Sequence, residues 1–417
     1  MDVISNLLKI ISDFVAELIR SIFGFSPFLA ELITMGLAAV VLATFAALSF
    51  MGLTYVERKV VARIQDRIGP NQAGPFGLLQ PIADGIKMFT KEDTTPAAAD
   101  RWVYNLAPLV IAVFALTTYA VLPFAPGVVG TNLNVGVFFV LAIGSGSIIA
   151  ILMAGWGSNN KYALLGAFRT VAQLVGYEVP MLLNLLPVVM LTGSMSLIDI
   201  VNHQTTLDGN PGIPHIIYLP LSALVFLISG VAETGRSPFD LLEAESEIVA
   251  GFHTEYSGMK FALFFLGEYV NALAVSFVFA TLFLGGYAGP ILPPYIWLLL
   301  KAALVFFVLM WLRGTLPRVR IDQMHNLNWK FLVPMSIVNL VLVMLALKLF
   351  PASAAAQAAS GGVLVSPGVQ AVILMLINLA VLLVSLSLVG RAARRMRMQE
   401  EALLAQRRAT NMAMARA

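Results

Sequence analysis

Apolar runs long enough to cross about 30 Å of hydrocarbon recur from one end of the chain to the other, and nothing else in the sequence limits the possible folds so strongly. They fall at residues 29–54, 102–123, 134–156, 165–191, 213–232, 259–284, 295–312, 330–350 and 369–390. The runs are continuous and lack the period-two alternation of a lipid-facing strand, so each is read as a helix whose backbone polar groups pair internally. Only 12% of the 417 residues are charged, against the roughly 25% usual in a soluble domain. An all-α polytopic membrane protein with nine spans is predicted, without a separate soluble domain. The chain has no cysteine, which excludes disulfides and thiolate-held iron-sulfur clusters of its own. Its histidines, His203, His215, His253 and His325, fall in different loops and show no metal-ligand or paired-haem spacing. Any electron carrier is therefore expected on a partner.

Basic residues set the expected orientation. With the first span running from outside to inside, 22 of the 26 lysines and arginines fall on inner loops or the C-terminal tail. This puts the N-terminus outside and the C-terminus in the cytoplasm. Ahead of the first span, Ile4, Leu7, Leu8, Ile11, Val15, Leu18 and Ile22 repeat at helical spacing between polar positions. Residues 1–27 thus read as an amphipathic helix on the outer surface, lying in the interface or packed on the bundle's edge. Residues 28–350 form the membrane domain, 351–390 a further loop and the ninth span, and 391–417 a basic tail suited to the membrane surface or to a partner.

In the first inner loop Arg63 and Arg67 stand one helical turn apart, before glycines and prolines from Gly69 to Gly77 break the helix. Gln80, Asp84, Lys87 and Lys91 then form one polar stripe opposite Leu78, Leu79, Ile82, Ile86 and Phe89, which implies a short helix at the membrane face. Ordinary anchoring accounts for Lys59, Lys87 and Lys91. Arg63, Arg67 and Asp84 suit a site for a polar headgroup at the lipid boundary, since they supply donors and an acceptor on rigid elements.

The strongest clue to function lies between the fifth and sixth spans. Glu233, Asp240, Glu243, Glu245, Glu247 and Glu255 are balanced there only by Arg236 and Lys260, where burial makes charge costly. Glu243 and Glu247 share a helical face and are expected to couple. Arg236 is expected to pair with Asp240 at i, i+4, or to touch substrate. Within the spans, Glu178 lies about 18 Å and Glu268 about 14 Å from the inner ends of their helices. With Glu233 they suggest an intramembrane chain of carboxylates able to pass protons. Pro180 cannot donate to the carbonyl of Gly176, so a water or polar partner is expected to do so. Gly144, Gly146, Ala150, Ala154, Gly155 and Gly157 are assigned to close helix packing, and Lys301 and Lys348 to snorkelling. Arg313, Arg318, Arg320 and Asp322 form an inner-face cluster, with docking of a soluble partner preferred to anionic lipid.

Four long segments carry a resemblance: GLLQPIADGIKMFTKE at 77–92, GWGSNNKYALLGAFRTVAQLVGYEVP at 155–180, ETGRSPFDLLEAESEIVAGFHTEYSGMKFALFFLGEY at 233–269 and RGTLPRVRIDQ at 313–323. In this order they resemble the quinone-site membrane subunit of respiratory complex I, the H-type subunit of bacterial proton-pumping NADH:quinone oxidoreductase. The resemblance covers about residues 28–350 and implies eight tilted transmembrane helices, with chamber loops at 55–101, 157–165, 233–258 and 313–329. Leu242 departs from the proline or small residue of many relatives, and the ninth span lies beyond the family core.

By this resemblance Arg63, Arg67, Asp84, Arg236, Phe239 and Asp240 belong to the quinone chamber. Glu178, Glu233, Glu243, Glu245, Glu247, Glu255 and Glu268 belong to proton coupling. Quinone is the implied substrate, with FMN and iron-sulfur clusters in soluble partner subunits on the cytoplasmic face. Small membrane subunits and antiporter-like subunits are further implied partners, in the bacterial plasma membrane and with no nucleic acid. The rival readings are the membrane coupling subunit of an ion-pumping hydrogenase and a stand-alone proton-coupled transporter. No internal repeat supports the transporter.

Overall fold

The computed structural model describes residues 17, 27–205, 212–241, 249–352, 357 and 361–414. The expected outer-surface helix at 1–27 and the acids Glu243, Glu245 and Glu247 lie outside the described residues, apart from Glu17 and Pro27. The described chain is helical, in the order α1 (Pro27–Ile64), α2 (Gln80–Thr90), α3 (Arg101–Thr117), α4 (Gly136–Gly157), α5 (Lys161–Thr192), α6 (Leu197–His203) and α7 (His215–Tyr218). There follow α8 (Pro220–Glu233), α9 (Gly258–Phe283), α10 (Pro294–Thr315), α11 (Ile321–Leu327), α12 (Val333–Leu349) and α13 (Pro367–Met414). Among the described residues, eight helical segments are long and apolar enough to cross a membrane. The basic loops gather at one end of the bundle, called here the basic face.

The fifth expected span differs from its sequence reading. Pro220 pushes Leu219 out of the helical region (φ −131°, ψ 57°) and divides the run into α7 and the 14-residue α8. At 1.5 Å per residue α8 is about 21 Å long, short of the hydrocarbon thickness. Elsewhere the helix ends follow local chemistry. The Asp100 side chain accepts from the Trp102 N–H to start α3, Asn160 accepts from the Tyr162 N–H to start α5, and Gly193 ends α5 in the left-handed conformation at φ +71°.

Small residues set how closely α4 approaches its neighbours. A Cβ added at Gly157 would meet the backbone N of Tyr104 at 2.8 Å, and one at Gly155 the Cβ of Ala167 at 2.4 Å. Polar pairs then fix helix rotation: Asn184 donates to Ser336 Oγ at 2.7 Å and Asn339 to Ser222 Oγ at 3.0 Å. Lys301 does not snorkel; its ammonium donates to the carbonyls of Gly286 and Ala288 after α9, at 2.9 and 2.7 Å. His203 and His215, far from any paired spacing in sequence, meet at 3.0 Å on the face opposite the basic one. Because the His215 Nδ1 faces the Leu282 carbonyl at 2.9 Å, Nδ1 carries the proton and His203 donates to Nε2.

The carbonyl of Gly176, left without a donor by Pro180, accepts from Asn328 Nδ2 at 2.6 Å. Asn328 is fully buried and opens a π-helical turn, Asn328–Leu332, that leads into α12. The sequence requirement for a polar partner is thus met by a side chain, which locks α5 to α12 two residues from Glu178. Asn328→Leu removes the donor and strands the acceptor, at about 1–3 kcal/mol; thermal unfolding of the purified assembly is expected to show the loss, and an unchanged midpoint would contradict it.

Candidate functional site

The site is built around Glu57, near the basic end of α1. The acid is 3% exposed, so it requires cations. Two arrive from distant segments. Arg236, after α8, places Nη2 3.1 Å from Glu57 Oε2, and Arg313, near the end of α10, donates to Glu57 Oε1. The Arg236 side chain is completely buried, with its guanidinium carbon 4.8 Å from the Phe306 ring centroid and 5.1 Å from that of Tyr269. Arg313 keeps a third of its side chain exposed. Glu268 on α9 lies near enough to Arg313 to act on it electrostatically.

These contacts correct two sequence expectations. Arg236 pairs with Glu57 rather than Asp240, because residues 234–241 form a turn containing Pro238 and not the helix that i, i+4 spacing assumes. Arg313, expected in an inner-face cluster with Arg318, Arg320 and Asp322, is an internal partner of Glu57. The turn is held at both sides. Gln173 on α5 donates to the carbonyls of Ala232 and Phe239, at 2.6 and 2.9 Å, and the Val319 N–H donates to the Pro238 carbonyl at 3.0 Å. Phe239 is buried against Tyr177, ring centroids 5.1 Å apart, while Asp240 keeps Oδ1 buried without a hydrogen bond among the described residues.

The residue after Glu57 reaches outward. Arg58 pairs with Asp84 on α2 at 2.5 Å, and Gln80 donates to the other Asp84 oxygen at 3.0 Å. Arg58, Arg67 and Gln80 border an open recess of about 660 Å³ formed with the Gly69–Gln72 loop. Arg63 is exposed beside the end of α1, and Arg67, beyond the helix, donates to Gln65 at 2.7 Å. Of the three expected headgroup residues only Arg67 borders the recess; Asp84 stands behind it through Arg58 and Gln80, and Arg58 is a further partner that no spacing in the sequence singles out.

Deeper in the bundle, Glu268 lines a cavity of about 60 Å³ together with Glu233, His253, Asn271, Thr118 and Gly144. A second cavity, of about 20 Å³, shares Thr118, Gly144, Glu233 and Asn271 and reaches Glu178. About 10–15 Å³ suffices for one water, so both have room for water between the carboxylates. Asn271 shares both cavities with Glu233, and Oε2 of Glu233 is buried without a hydrogen bond among the described residues. Burial pushes the His253 imidazole down to about 4, leaving it neutral at pH 7. Gly144 has a use beyond packing: an added Cβ would stand 3.1 Å from the Glu233 carboxylate. Glu255 lies apart, accepting from Asn160 at 2.6 Å at the start of α5.

Sequence reasoning missed Glu57. The available signal was an acid two turns inside the end of a long apolar helix, where burial disfavours it. Removing one member of a buried pair strands the other, so Glu57→Gln and Arg236→Leu are each expected to destabilise by about 3–5 kcal/mol. Arg58→Leu, at an ion pair whose arginine is 48% exposed, is expected to stay within about 1 kcal/mol. Thermal unfolding of the purified assembly ranks the three; equal losses would contradict the assignment.

Comparison with known proteins places the chain. Residues 37–344 match the family described as NADH dehydrogenase. The chain is 49% identical over 343 residues to the H-type subunit of NADH-quinone oxidoreductase from Dehalococcoides mccartyi strain CBDB1, covering 82% of this chain and 91% of that protein. It is 49% identical over 319 residues to an H-type subunit of the same enzyme from Geobacter metallireducens, covering 74% and 95%. Against the counterpart from Rickettsia typhi it is 46% identical over 326 residues, covering 76% and 95%. The chain belongs to the NADH dehydrogenase family, among the H-type membrane subunits of NADH-quinone oxidoreductase.

Proposed function

We propose that this subunit forms the access tunnel and chamber for a lipid quinone and couples quinone reduction to proton translocation. The observation that carries the reading is the double position of Glu268. It acts on Arg313 in the buried ion cluster and lines the cavity that holds Glu233, which in turn adjoins Glu178.

Quinone reduction takes two electrons and two protons. The electrons come from a carrier on a soluble partner at the basic face, which lies in the cytoplasm by the positive-inside rule. The recess beside Arg58 and Arg67, with Asp84 behind it, presents donors and an acceptor to a polar headgroup. A reduced, anionic headgroup is felt first by Arg313, the cation of the cluster that keeps partial exposure. Drawing Arg313 toward that charge weakens its hold on Glu57 and Glu268, and a proton then moves toward Glu268 through cavity water. Glu233 and Glu178 share that water and re-equilibrate, passing the change toward neighbouring antiporter-like subunits. Phe239, Asp240, Glu243, Glu245 and Glu247 belong to the same loop as Arg236 and form the junction between chamber and relay. Glu255, fixed by Asn160, serves to position that loop.

Glu178→Gln tests the reading in the assembled complex. Electron transfer from NADH to an artificial acceptor is expected to persist, while quinone reduction and proton pumping fall together. Normal pumping in that variant would refute the relay, and a nickel-containing partner in the purified complex would favour the hydrogenase reading instead.

A further inference from the structure

The ninth span, α13, lies beyond the family core, and it creates a cleft that the coupling function does not use. α12 and α13 run antiparallel and leave between them an apolar groove of about 480 Å³. Val338 and Leu342 line one wall, and Ile377, Val384 and Leu388 the other. Val338, Val384 and Leu388 are each more than half exposed, so none of the described residues fills the groove. Its two walls run from Lys330 to Leu342 and from Ile377 to Val389. At 1.5 Å per helical residue each is about 18 Å long, close to one leaflet of a core about 30 Å thick.

The charge at the groove's mouth is one-sided. Lys330 lines the end at the basic face, beside Val389, and the exposed Arg391 and Arg394 follow on α13. Lys330 stands in the π-helical turn Asn328–Leu332, and Pro334 cannot donate to its carbonyl, so the local backbone departs from a straight helix where the groove opens. A membrane helix from another subunit would fill the apolar walls but would bring no anion to the lysine.

We infer that this groove is a binding site for an anionic phospholipid of the leaflet on the basic face. One acyl chain lies between α12 and α13, and the phosphate rests against Lys330 and the arginines that begin the tail. The pairing follows from depth and charge together: an acyl chain matches an apolar slot one leaflet deep, and a cationic mouth selects an anionic headgroup over a zwitterionic one.

The test uses the intact complex, delipidated in mild detergent and incubated with phosphatidylglycerol or phosphatidylcholine of identical acyl chains. Retained lipid is counted by native mass spectrometry. The wild-type complex is expected to retain phosphatidylglycerol preferentially, Lys330→Gln to lower that retention roughly fivefold without affecting phosphatidylcholine, and Ala380→Trp, which fills the slot with an apolar side chain, to abolish it. Equal retention of the two lipids by wild type would overturn the proposal, as would variants that bind like wild type. So would efficient cross-linking from Ser385→Cys to a membrane helix of another subunit or of a second copy, because the slot would then have a protein occupant.

Discussion

A carboxylate buried between two arginines, Glu57 between Arg236 and Arg313, holds the basic end of the bundle together. Each partner comes from a different element, and removing any one leaves charge in a medium that cannot solvate it. The cluster therefore specifies where α1, the turn after α8 and α10 meet. Aromatic faces from Tyr269 and Phe306 take up the part of the Arg236 guanidinium that Glu57 does not reach. Pairing in so dry a setting adds less net stability than its contact distances suggest. Its larger effect is on geometry, because it fixes how three distant segments meet at the basic end.

The inward route has its own supports. Gly144 leaves space for the Glu233 carboxylate, and Asn271 on α9 lines the same two cavities. Pro180 breaks the hydrogen-bond ladder of α5 beside Glu178, and Asn328 restores the missing donor from the π-helical turn before α12. The polar path is thus bordered by backbone features that a regular helix lacks. Glu233 lines both cavities, Glu178 one and Glu268 the other, so three carboxylates from three helices meet at adjoining spaces large enough for water.

Much of this arrangement is legible in the sequence. The long spans follow from apolar length, and the orphaned Gly176 carbonyl follows from Pro180 alone. Glu178, Glu233 and Glu268 stand out as acids inside or beside apolar runs, and the fold brings them to two adjoining cavities. Long-range pairing is what the sequence conceals. Glu57 precedes Arg58 and Lys59 and so reads as part of an anchoring end, whereas its partners lie far along the chain. Spacing alone pairs Arg236 with Asp240, on a helix that Pro238 and the surrounding turn do not permit. The His203–His215 contact, likewise, is set by Gln204, whose carbonyl and side chain accept from the Gly212 and His215 N–H groups, and no spacing rule registers it.

The central claim is that charge at the chamber moves a proton on the buried carboxylates of this chain. Redox-triggered infrared difference spectroscopy of the reconstituted complex tests it most directly. On quinone reduction, a band from a protonated carboxyl group is expected to change, and replacing Glu233 with glutamine is expected to remove that band while electron transfer to an artificial acceptor continues. A carboxyl difference spectrum that is identical in wild type and in the Glu233 variant would contradict the account.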